Sequence, residues 1–143
     1  MCFIDYQYII MRKYFVIFIL LTFPLLKMQV LADDSGSCGA NGNNLTWTFV
    51  EETKTLTISG SGHMANFYYN PDWSNYRGNI QTVVIEDGVT SIGWYAFYNC
   101  YALTNIVGGN DLTSIGSNSL YGCSKLTSFT IGPKVRDEVN PES

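Results

Sequence analysis

The residues able to carry chemistry are few, and their spacing suits little of it. His63 is the only histidine of 143 residues, so no two-histidine metal site can form. A Ser-His-Asp unit would have to work without the Gly-x-Ser-x-Gly elbow that exposes a nucleophile, which the chain lacks. Ser59-Gly60-Ser61-Gly62-His63 has the glycines of a phosphate loop but not its Gly-Lys-Ser/Thr ending, and it reads as a turn after a strand. Glu86 and Asp87 are adjacent, so on a strand they point to opposite faces. Glycoside hydrolysis needs carboxyls that face each other. The expectation is a chain with no catalytic residues, no metal and no cofactor.

Two other groups of residues bear weighing. Cys100 and Cys123 lie 23 residues apart, and Cys38 has no evident partner. Equivalent positions on stacked coils fall within disulfide reach, but their Cβ vectors run side by side, which favours a ladder of buried thiols. The segment 67–76, Phe-Tyr-Tyr-Asn-Pro-Asp-Trp-Ser-Asn-Tyr, offers rings beside polar side chains. Tyr68, Tyr69, Trp73 and Tyr76 could therefore stack on sugars as a carbohydrate-binding patch. The competing reading is that Phe67 and Trp73 fill a junction in the core. Asn44-Leu45-Thr46 fits a glycosylation acceptor pattern.

The elements that must position these residues begin with a targeting segment. Arg12 and Lys13 precede an uncharged run from Tyr14 to Leu26, which Lys27 ends. A run of 13 residues is shorter than the roughly 20 a spanning helix needs. Residues 1–32 read as a signal peptide with Val30-Leu31-Ala32 at its cleavage site. A membrane anchor is the alternative. Asp33 and Asp34, beside that site, read as disordered. After cleavage the chain would carry five basic and eleven acidic residues. Its net charge of −6 leaves no basic surplus for phosphates, so nucleic acid is not an expected partner. Charged residues are 14% and aromatics 15% of the chain, which argues against disorder.

A 23-residue repeat organises the rest. Thr90-Ser91-Ile92-Gly93 returns as Thr113-Ser114-Ile115-Gly116. The same shift aligns Ile80 with Leu103 and Leu126, Val83 with Ile106 and Phe129, and Cys100 with Cys123. Ile80-x-x-Val83-x-Ile85 and Leu126-x-x-Phe129-x-Ile131 alternate as half-buried strands do. Asp87-Gly88 and Gly132-Pro133 are turn chemistry. Ile92, Ala96 and Cys100, four apart, would point inward from a short helical turn. One coil cannot bury its own face, but stacked coils share a core.

Residues 38–79 read differently. Leu45, Trp47 and Phe49 alternate with polar neighbours, as do Leu56 and Ile58, with four residues between the runs. That is a β-hairpin, and it suits the cap that the first coil of a solenoid requires. The organisation is thus 1–32 signal peptide, 33–79 linker and hairpin cap, 80–135 two full repeats and one partial, and 136–143 a polar tail.

Val89-Thr90-Ser91-Ile92-Gly93, Ala96-Phe97, Cys100 and Leu103-Thr104 resemble the BspA-like leucine-rich repeats of exported surface proteins. The second copy departs at Ser119 and Leu120, and Gly108 stands where its neighbours have Ile85 and Ile131. The resemblance covers about residues 37–135. It implies a β-rich solenoid, a secreted or cell-surface location, and an adhesive role toward a protein or cell-surface ligand. Members of the family stack more repeats, so the chain also reads as a truncated gene fragment. The side chains between the buried positions are Thr82, Val84, Asn105, Val107, Ser128 and Thr130. They are the expected partner-binding stripe.

Overall fold

The computed structural model describes residues 34–135. The expected signal peptide and the polar tail 136–143 lie outside the described residues. Among the described residues nine strands run in chain order: β1 Asp34–Gly39, β2 Gly42–Val50, β3 Thr55–Gly60, β4 Gly62–His63, β5 Thr82–Ile85, β6 Val89–Ile92, β7 Asn105–Val107, β8 Ser114–Ile115 and β9 Ser128–Thr130. They form a six-stranded sheet, ordered β1-β2-β3-β5-β7-β9, and a three-stranded sheet, ordered β4-β6-β8. The described residues form a β-solenoid of about three turns with almost no helix.

The hairpin forms in the expected register, with Trp47 opposite Ile58 and Phe49 opposite Leu56. Its second strand has a further task. β3 pairs parallel with β5, Leu56 beside Val83 and Ile58 beside Ile85, so the cap supplies the first rung of the parallel ladder. β5 then pairs with β7, and β7 with β9, each shifted by one 23-residue period.

β1 corrects the reading of Asp34 as disordered. It runs antiparallel to β2 from Asp34 opposite Phe49 to Gly39 opposite Gly42. Asp-Ser-Gly-Ser-Cys-Gly has none of the β-branched or aromatic residues that favour strands, so tertiary pairing makes it one. Gly36 is needed there, because an added Cβ would come within 2.6 Å of Trp47 Nε1. Asp34 Oδ2 accepts a hydrogen bond from Tyr76 Oη at 2.8 Å.

The segment after β6 also differs from expectation. Ile92, Ala96 and Cys100 are all buried, yet they come from successive turns and not from a helix. Tyr95 and Asn99 have φ of 56° and 57°, a left-handed conformation that no right-handed helix contains. The freed amides bond to the next coil instead: Tyr95 N–H to Ser117 O, Phe97 N–H to Ser119 O and Asn99 N–H to Tyr121 O, at 2.7–3.2 Å. Tight stacking explains the repeated glycine. A Cβ at Gly93 would lie 1.8 Å from Ala65 O, and one at Gly116 would lie 2.6 Å from Trp94 N.

The core follows the ladder. Leu56, Val83 and Ile106 are fully buried, but Phe129, their equivalent on β9, is 39% exposed. β9 is the last rung of the described sheet, so Phe129 is covered from one side only.

Candidate functional site

Parallel register places the expected stripe in two rows on the outer face of the six-stranded sheet. Thr55, Thr82, Asn105 and Ser128 are successive partners in one row, and Thr57, Val84, Val107 and Thr130 in the other. Partners across a ladder share a face, and these positions alternate with buried Leu56, Val83 and Ile106. Thr82, Val84 and Asn105 are half-buried, while Val107, Ser128 and Thr130 are exposed. Thr55 and Thr57 enlarge the stripe that the repeat alone implies. Cross-strand pairing carries the face onto β2 and β1, through Thr48 opposite Thr57 and Ser35 opposite Thr48. Six strands about 4.8 Å apart give a face roughly 24 Å wide. The eight residues of its two rows carry no charge.

The aromatic segment divides. Tyr68 and Tyr69 are exposed. Trp73 is not available to a ligand: it is fully buried, and its indole N–H donates to Ala96 O at 2.9 Å. Its ring meets Trp47, Phe67 and Phe97 at centroid distances of 5.8, 5.2 and 6.1 Å. Tyr76 is half-buried and stacks on Phe49 at 4.5 Å. A sugar platform of Tyr68, Tyr69, Trp73 and Tyr76 is therefore excluded, because two of its four rings belong to the junction between cap and first coil. That junction includes the short 3-10 helix Asp72–Tyr76.

The other candidates hold the structure together. His63 Nδ1 lies 3.2 Å from Thr90 Oγ1 and 3.3 Å from Ser91 Oγ, a side-chain link between strands of the small sheet. Asp87 Oδ1 accepts the amide N–H of Asn110 at 2.8 Å, tying one corner to the next. Asp111 does the same, accepting from Gly88 N–H at 3.0 Å and Lys134 Nζ at 2.6 Å. The hydrogen bond from Lys134 holds the Asp111 carboxyl below its ordinary value, with the Gly88 amide adding to it. Asn44 accepts from Asn41 N–H and donates to Ser61 O at 2.9 Å, so its amide already has structural partners. Among the described residues no three His, Cys, Asp or Glu side chains come together as metal ligands.

The three described cysteines are free thiols. Burial pushes the Cys100 thiol up to about 12, with the nearby Cys123 adding to it. Cys38 is likewise pushed up to about 12, by burial and then by Asp72. Burial raises Cys123 as well, and its Sγ donates to Phe97 O at 3.2 Å. The thiolate is the reactive species, so these groups should be inert near neutral pH. Labelling with a chromogenic disulfide reagent is expected to reach Cys38 and Cys100 only when the protein is unfolded. Rapid stoichiometric labelling of the native protein would contradict their burial.

This architecture is that of a leucine-rich repeat protein: parallel coils, a shared apolar ladder and a capped first turn. Residues 73–139 match the family model of the BspA type leucine-rich repeat region. A crystal structure of a leucine-rich repeat protein from Eubacterium ventriosum superposes with a TM-score of 0.62 at 29% sequence identity. The match covers 72% of this chain and 27% of that one. No curated protein matches.

Proposed function

We propose that this chain is an exported, non-catalytic repeat module that binds a protein or cell-surface ligand through its strand face, in an adhesive role. The observation that supports it is the pair of uncharged rows running without interruption over β3, β5, β7 and β9. Their charged neighbours lie at the corners, where Asp87 and Asp111 are engaged with the next coil. A partner can thus cover the rows without desolvating a charge, the costly step in burying polar surface. Solenoid faces are extended binding surfaces of this kind.

Val107→Lys and Thr130→Glu test the assignment, because both positions are exposed. Each should weaken partner binding by roughly tenfold or more, about 1.4 kcal/mol. Substitutions on such surfaces move stability by only about 0.5 kcal/mol, so the thermal melt should hold. Binding that survives both variants would remove the strand face from consideration. Export is tested separately: secreted protein should begin at Asp33 by intact mass, and a retained Met1 or Met11 would contradict it.

A further inference from the structure

Of the seven large apolar or aromatic side chains that stand exposed among the described residues, six are aromatic: Phe129 on β9 and five others, Tyr68, Tyr69, Trp94, Tyr101 and Tyr121. These five lie between strands, in the segment before the first coil or in the turns that follow β6 and β8. They lie outside the strand-face rows. Two of them, Tyr69 and Tyr121, belong to a cluster with the half-buried Tyr95 and Tyr98. Tyr69 meets Tyr95 at 4.4 Å and Tyr98 at 5.4 Å, and Tyr95 meets Tyr98 at 5.5 Å. One period on, Tyr121 lies parallel to Tyr98, 11° between planes and 5.4 Å between centroids. Parallel rings in contact at that separation are slipped and not eclipsed, so each step leaves part of a ring face uncovered. Tyr69 is 52% and Tyr121 62% exposed.

The backbone holds this cluster at some cost. Tyr69 and Tyr95 have φ of 77° and 56°, which bulky residues seldom adopt. Arg77 secures the loop by donating to Tyr69 O and toward Asn70 Oδ1. A polar group stands at the rings: Asn118 Nδ2 donates to Tyr95 Oη at 3.3 Å. Asn99, next to Tyr98 in the chain, is exposed, with its carboxamide oxygen over Gly122.

Several ligand chemistries fail here. Rings packed at 4.4–5.5 Å leave no space between them, so neither a quaternary ammonium in an aromatic cage nor a proline ring in an aromatic groove can enter. Arg77 beside the cluster also disfavours a cation. The acidic balance of the chain disfavours polyanions. An outer surface of partly free ring faces, phenol hydroxyls and carboxamides remains. It matches a molecule with apolar C–H faces and a rim of neutral hydroxyls.

We propose that Tyr69, Tyr95, Tyr98 and Tyr121, with Asn99 and Asn118, form a binding platform for a neutral oligosaccharide, separate from the strand face. The rings take the C–H face of the sugar, and the hydroxyls and carboxamides bond its rim.

The test is calorimetric titration of the folded protein with cellohexaose, xylohexaose, mannohexaose and chitohexaose, alongside a proline-rich peptide. At least one sugar should bind with a Kd at or below the millimolar range. Tyr69→Ala and Tyr121→Ala should each weaken it roughly tenfold, or about 1.4 kcal/mol. Both side chains are more than half exposed, so the melts should match the parent, and Val107→Lys should bind the sugar normally. Tyr121→Phe should retain part of the affinity, because it keeps the ring. No binding of any of the four sugars would overturn the proposal, as would sugar binding undiminished in both alanine variants. Binding of the peptide alone would overturn it too.

Discussion

Trp73→Ala is expected to unfold the domain or come close to it. The side chain is fully buried and stands where the cap meets the first coil, against Trp47, Phe67 and Phe97. Emptying a large aromatic site costs about 3–5 kcal/mol. The substitution also strips Ala96 O of its buried donor, a loss of about 1–3 kcal/mol where no water replaces it. Against a total stability of about 5–15 kcal/mol, little is left. The melting temperature should fall by on the order of 12 °C or more. A shift of less than about 4 °C would show that the junction is not packed this way.

The second large effect is at Trp47, with a twist that separates the two tryptophans. Trp47→Ala should cost about 3–5 kcal/mol by the same cavity argument, because the ring is buried against Gly36 of β1 and Trp73 of the junction. Its indole N–H, however, is buried without a hydrogen-bond partner among the described residues. Trp47→Phe removes that unsatisfied donor, whereas Trp73→Phe creates an unsatisfied acceptor at Ala96. The phenylalanine variant should therefore be the milder one at position 47, by about 1–3 kcal/mol. Denaturant melts of the two phenylalanine variants measure the difference. Equal costs, or a greater cost at position 47, would contradict the hydrogen-bond assignment.

Much of the fold is legible in the sequence because the coils repeat their apolar skeleton. Val83, Ile106 and Phe129 align by a fixed shift, and so do their strands. The hairpin is legible because Trp47 and Phe49 alternate with threonines. What escapes is whatever breaks the period. Leu56 and Val83 are neighbours in the ladder but 27 residues apart, so β3 does not announce itself as the first rung. The extra length holds the Trp73 junction, whose rings look alike in sequence whether they face core or solvent. Trp73 can be read as sugar platform or as core, and its contacts place it in the core. β1 escapes because glycine and serine carry no strand signal of their own.

The tyrosine cluster has only one periodic element. Tyr98 and Tyr121 are one period apart, which suffices to stack them. Tyr69 joins them through a loop fixed by Arg77, and no local pattern encodes that. The strand-face rows, by contrast, follow from alternation alone, since a strand that buries Val83 and Ile106 must present its other side chains outward.

Hydroxyl-radical footprinting of the chain, free and bound to a protein partner, tests the placement of the binding surface most directly. Val84, Val107 and Thr130 should be protected in the complex, with Tyr121 oxidised at its free rate. Protection confined to Tyr69 and Tyr121, with Val84 and Val107 unchanged, would contradict the strand-face account.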